Sequence, residues 1–181
     1  MRHARLVSAV MLGLLGPHEF AAAQTTHFQP KWPIIFAPET DTGFEKAKPP
    51  SDAVLDALLR TPEAVRRGDD NNPDREYIRK SFQVVRVDLG GTNEEDYVVL
   101  GVGYYTGADC HWFWIVRVKQ GNGQVLLYTP GLVIEILRQE TNGYHDIRES
   151  WGGNSGSTTR IFQYTGTTYK LASEHSEGPP Q

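Results

Sequence analysis

A mainly β (α+β) fold, an antiparallel sheet, sandwich or partial barrel with one N-terminal helix and an extended proline-rich arm, follows from three observations. From Phe82 onward, short runs rich in β-branched and aromatic residues alternate with Gly/Asn turn signals. Of the 16 glycines beyond residue 23, 13 fall between Gly90 and Gly166. Upstream, helical spacing of apolar residues occurs once, in Val54, Leu55, Leu58, Leu59 and Val65.

The chain opens with a short basic start, Met1 to Arg5, and an apolar run of 11 residues from Leu6 to Gly16, broken by Ser8 and Gly13. Ala21-Ala22-Ala23 then offers the small residues that a signal peptidase accepts. This layout predicts a secretory signal peptide over 1–23, with Gln24 as the first mature residue and an exported, periplasmic or secreted, product. A spanning helix needs about 20 apolar residues, so the run is too short for one, and no membrane span is expected in the mature chain.

Residues 24–50 hold five prolines, at Pro30, Pro33, Pro38, Pro49 and Pro50, with Trp32, Ile34, Ile35 and Phe36 among them. Each proline fixes its own φ and pushes its predecessor toward extended geometry, which predicts an arm laid across the domain by its apolar residues. Pro49-Pro50 blocks helix upstream, and Ser51 or Asp52 caps a helix that starts there, is interrupted at Pro62 and ends by Gly68. Asp69 to Asp74 reads as a polar loop. A single β-rich domain spans 51–172.

Within it, strands are expected at Phe82–Val87, Asp96–Gly103, His111–Lys119, Gln124–Tyr128, Val133–Leu137, Asp146–Trp151, Thr159–Tyr164 and Tyr169–Ala172. Val133–Leu137 also fits one helical face. Gln120 to Gly123, Asn142-Gly143 and Thr165 to Thr167 read as turns. On His111–Lys119, alternation places Cys110, Trp112, Trp114, Val116 and Val118 toward the core, and His111, Phe113, Ile115, Arg117 and Lys119 on a partly covered face. The polar stretch 173–181, ending Pro179-Pro180-Gln181, reads as a disordered tail.

Losing Arg2, Arg5 and Glu19 from 18 Lys/Arg and 22 Asp/Glu leaves a mature net charge of −5. With no dense basic cluster, nucleic acid is not an expected partner. Cys110, the only cysteine, closes no internal bridge, so the core carries the stability.

Three segments attract chemical readings. Asp88-Leu89-Gly90-Gly91-Thr92-Asn93 resembles the phosphate-binding hairpin of the hexokinase and sugar-kinase superfamily. The likeness stops after six residues, the mature chain is about half the length such a kinase needs, and no ATP role is expected. Read as Asp88-x-Gly90-x-Thr92-x-Glu94-x-Asp96, the same segment resembles a degraded calcium loop of FG-GAP and VCBS-type repeats. That resemblance makes Asp88, Glu94 and Asp96 weak calcium candidates, with two expected carboxylates replaced by Gly and Thr. The plain alternative is a hairpin whose Gly-Gly supplies the turn and whose Asp satisfies nearby amides. Together with Asn142-Gly143-Tyr144-His145-Asp146-Ile147 and the later Phe162 to Tyr169, this loop is similar to segments of uncharacterised exported bacterial β-domain proteins. That similarity implies fold and location rather than activity.

Gly153-Asn154-Ser155-Gly156-Ser157 resembles the nucleophile loop of exported serine proteases, which nominates Ser155 with His111 and Asp146 as a catalytic set. The chain leaves only 26 residues after Ser155, too few for the second barrel of that family. The expectation is therefore a non-enzymatic binding domain for a protein or a cell-envelope component, requiring no cofactor. Its contact surface would be aromatic: Tyr104, Tyr105, Phe113 and Trp151. The rival readings are a small exported hydrolase and an inhibitor or immunity protein for a wall-degrading enzyme.

Overall fold

In the computed structural model, residues 31–65, 75–91, 94–106, 110–153 and 156–178 are described. The expected signal segment 1–23, the Asp69–Asp74 loop and Ser155 lie outside them.

Two antiparallel sheets carry the fold. The first has the order β2-β3-β4-β5, formed by Phe82–Val87, Glu95–Gly101, His111–Lys119 and Asn122–Gly131. The second has the order β1-β6-β7-β8-β9, formed by Ile34–Phe36, Val133–Thr141, Tyr144–Gly153, Gly156–Tyr164 and Tyr169–Glu177. This is the mainly β sandwich the Gly-punctuated runs predict.

Helix α1 (Asp52–Leu59) starts where Ser51 Oγ accepts from Val54 N at 3.4 Å. Its buried face, Val54, Leu55 and Leu58, packs with Ile78 of α3 (Arg75–Lys80) on Val99, Trp114 and Val116 of the four-stranded sheet. A short α2 (Pro62–Val65) follows the expected break at Pro62. Gly123 permits the close approach of α1. A Cβ there would lie 2.1 Å from Ala53 O and 2.9 Å from Ala57 Cβ.

The four-stranded sheet is thus covered on both faces, by helices on one and by the second sheet on the other. Strand β4 shows the consequence. Phe113 and Ile115 are 1% exposed in the inter-sheet core, and Trp114 and Val116 are equally buried under the helices. The face that alternation assigns to a rim is therefore interior. Strands enclosed on both sides read as near-continuous apolar runs, and two faces cannot then be ranked by apolarity. Cys110, expected in the core, is half-buried ahead of β4.

The proline-rich arm, in its described part, is integrated rather than merely laid down. Ile34 and Phe36 pair with Ile136 and Ile134 of β6. Further along, Lys48 bridges to Val84 of β2 through bonds of 2.8 and 3.0 Å. Pairing first with one sheet and then with the other, the arm spans their adjacent open edges.

At the other end of the chain, the expected disordered tail needs correction. Strand β9 continues to Glu177, with Ser173, Glu174, His175 and Ser176 registered against β8. Polar composition misled there because β9 is an edge strand exposed on nearly every residue. The ambiguous Val133–Leu137 is strand and reaches Thr141. Left-handed Asn142 (φ 54°) and Gly143 (φ 77°) turn it into β7, and Gln120 (φ 50°) with Gly121 (φ 78°) turns β4 into β5. No helix of the described residues is long and apolar enough to cross a membrane.

Candidate functional site

The site is a polar cleft of about 450 Å³ at one end of the sandwich. It gathers Glu94 ahead of β3, Arg117 and Lys119 at the end of β4, and Asn122 and Gln124 at the start of β5. From the second sheet come Asn142 and Tyr144 of the β6–β7 hairpin, Tyr164 at the end of β8, and Gly166 and Thr167 in the β8–β9 turn. Every contributor lies at a strand end or tight turn, so the pleated registers fix their positions.

Arg117 organises the cleft. Its cross-strand neighbour is Asp96, and the two are joined bidentately, Nε to Oδ1 at 2.8 Å and Nη2 to Oδ2 at 3.2 Å. Glu94 Oε2 lies 2.9 Å from the same Nε. Tyr144 lies 4.2 Å from the guanidinium carbon at its ring centroid, and Tyr164 lies 5.4 Å away. Arg117 Nη1 also donates to Tyr164 Oη at 3.3 Å. The cation is thereby buried with partners around it, which offsets the cost of removing it from water.

Glu94 is shared. Its Oε1 accepts from Lys119 Nζ at 3.0 Å, and its Oε2 accepts from Tyr144 Oη at 3.1 Å. Burial works against its charge, but Lys119, Arg117 and the Tyr144 hydroxyl hold its carboxyl below the ordinary value. Burial pushes the Asp96 carboxyl up, opposed by the Arg117 bonds. For Arg117, burial would lower the pKa, and Asp96 outweighs it, so the group stays charged. The carboxylates nominated for calcium thus face a guanidinium and an ammonium, positions of positive charge already filled by side chains.

Asp88 is separate from them. It is exposed, and its Oδ1 accepts from Gly90 N at 3.0 Å, the satisfied-amide turn that Asp-x-Gly suggests. Gly90 (φ 103°) and Gly91 (φ 89°) let this loop press against the β6–β7 hairpin. A Cβ on Gly90 would lie 2.3 Å from Gly143 O, and one on Gly91 would lie 2.7 Å from Tyr144 Oη. The Gly-Gly pair is a packing device that seats Tyr144 over Arg117. Among the described residues, no group of three or more His, Cys, Asp or Glu side chains is arranged to hold a metal ion.

The residues nominated for catalysis take other partners. His111 Nε2 meets Glu39 Oε1 at 2.8 Å. Asp146, fully buried on β7, accepts from Gln163 Nε2 at 3.1 Å. Neither contact joins His111 to Asp146.

The aromatic surface also changes. Phe113 is 1% exposed, and Tyr105 is 2% exposed with its hydroxyl donating to Ala64 O at 2.7 Å. Both belong to the cores, and the side chain of Tyr104 lies outside the described set. Trp151 remains at the surface, 40% exposed.

Sequence reasoning missed Arg117, Tyr144 and Tyr164. The available signal was a lone arginine inside the apolar run Ile115-Val116-Arg117-Val118, since such a charge is seldom enclosed without a partner.

No family model, curated protein or solved structure matches this chain.

Proposed function

We propose that the chain is an exported, non-enzymatic binding domain and that its ligand, a protein or a component of the cell envelope, is held in the cleft around Arg117. One observation carries this reading: the cleft's ionic groups are paired with one another, while the exposed neutral amides of Asn122, Gln124 and Asn142 line the same cleft. Glu94 is held ionised by Lys119 and Arg117. A general acid or base works best with a pKa near the operating pH, and Glu94 is moved away from that range. The same pairing gives a preorganised polar wall, which is what recognition requires. A volume of about 450 Å³ falls within the usual span of ligand sites, about 300–1,000 Å³. Export rests on residues 1–23, whose basic start, apolar run and Ala-Ala-Ala end have the order of a cleavable signal.

The experiment is co-sedimentation of the protein, expressed with its leader in a bacterial host and recovered from the periplasm, with washed cell envelopes. The reading expects a mature N-terminus at Gln24 and saturable binding. Recovery of uncleaved cytoplasmic protein, or of no saturable binding, would overturn it.

A further inference from the structure

We infer that the ligand of this cleft is a neutral, hydroxyl-rich saccharide, an inference that rests on the cleft being the binding site. Charge limits which ligand the cleft accepts. Two cations and two carboxylates build the cleft, and each carboxylate is already engaged: Asp96 by Arg117 at 2.8 and 3.2 Å, Glu94 by Lys119 at 3.0 Å and Arg117 at 2.9 Å. An anionic ligand at Arg117 would compete with Glu94 and Asp96 for the same guanidinium. A cationic ligand would compete with Arg117 and Lys119. Arg117, Glu94 and Asp96 are each under 10% exposed, so breaking their contacts leaves an enclosed charge uncompensated, at large cost. A neutral ligand leaves the pairs intact.

Donors and acceptors at the rim narrow the ligand further. Each rim amide spends an N–H on a backbone carbonyl: Asn142 Nδ2 on Tyr164 O at 2.7 Å, Asn122 Nδ2 on Gln120 O at 3.3 Å, and Gln124 Nε2 on Thr167 O at 3.4 Å. Each amide keeps its second N–H as a donor and its oxygen, with two lone pairs, as an acceptor. Lys119, 60% exposed at its side chain, still offers protons not used by Glu94. The ligand must therefore bring several donors and several acceptors into a small volume. An extended peptide advances about 3.3 Å per residue and turns alternate groups away, so few of its N–H donors reach one wall. A sugar ring carries several hydroxyls, each both donor and acceptor.

The test is a glycan array spanning neutral and acidic oligosaccharides, probed at 50 and 500 mM NaCl with the wild type and with Asn142→Gly and Gln124→Ala. Asn142→Gly keeps a residue that accepts the left-handed backbone while deleting the amide. The inference expects neutral glycans among the binders, signals that change less than twofold with salt, and a drop of at least fivefold in each variant. Binding confined to acidic glycans and abolished at 500 mM NaCl, or binding to no glycan, would overturn it. Co-sedimentation of the same variants with envelopes separates the two levels. Weakened envelope binding without any glycan signal overturns the saccharide while the cleft stands; unchanged envelope binding overturns the cleft itself.

Discussion

Arg117 and Asp96 face each other across β4 and β3 and share two hydrogen bonds, with both side chains under 10% exposed. Removing one partner leaves the other charge enclosed, which costs about 3–5 kcal/mol. We expect Asp96→Ala to lower unfolding free energy by that order in urea titrations. Arg117→Met should lose about as much, and the double variant clearly less than the sum of the two. Additive losses would show that the pair is not coupled.

Gly90 joins the Asp88 loop to the β6–β7 hairpin. Its φ of 103° and the 2.3 Å separation from Gly143 O leave no room for a methyl group. Gly90→Ala should cost at least about 2 kcal/mol by thermal or chemical unfolding, combining backbone strain with displacement of the hairpin. Because the hairpin carries Tyr144, ligand binding should weaken as well. Gly121 stands in open space, so enlarging it meets no neighbour, although its positive φ still costs.

Glu149 introduces a pH dependence. It is fully buried on β7, both carboxylate oxygens lack a hydrogen-bond partner, and Arg160 Nη1 approaches only to 3.6 Å. Burial raises its pKa from 4.5 to about 7, against the pull of Arg160. The folded state therefore prefers the protonated acid. Its stabilising contribution is complete below about pH 4.5, declines as pH rises through 7 and is gone above that. A shift of this size corresponds to about 3 kcal/mol. Glu149→Gln should flatten the stability profile between pH 5 and 8 and raise the melting temperature at pH 8. An unchanged profile would remove Glu149 as its source.

The strand character of 173–177 has its own test. Deleting the residues after Ala172 strips the partner from the outer half of β8, including the Arg160–Glu174 pair at 2.7 Å. We expect a lower melting temperature and concentration-dependent aggregation, because an open β8 edge is a template for pairing. A disordered tail would be removed without either effect.

Local chemistry made much of the sandwich legible. Asn142-Gly143 and the glycines around 90 and 121 announce turns because few other residues accept positive φ, and strand boundaries for β2 and β4 follow directly from their apolar runs. The site was not legible for the same reason. Glu94 ahead of β3 and Arg117 of β4 meet Tyr144 and Tyr164 of the second sheet only through the stacking of the two sheets, and no periodicity links them. Arg117 read as a rim residue because its compensation by Asp96, Tyr144 and Tyr164 comes from three other strands. The partners of His111 and Asp146, Glu39 and Gln163, lie far from them in the chain and were not readable from local pattern. Helix α3, six residues long, is too short for a periodic signal.

The central claim is that the Arg117 cleft is the binding surface. The most direct measurement is the dissociation constant for washed envelopes of the wild type against the double variant Asn142→Gly/Gln124→Ala, with melting temperatures taken in parallel. Two lost hydrogen bonds at about 1 kcal/mol each predict a roughly 30-fold weaker constant, with a melting temperature within a few degrees of the wild type. Equal dissociation constants for two equally folded proteins would contradict the account.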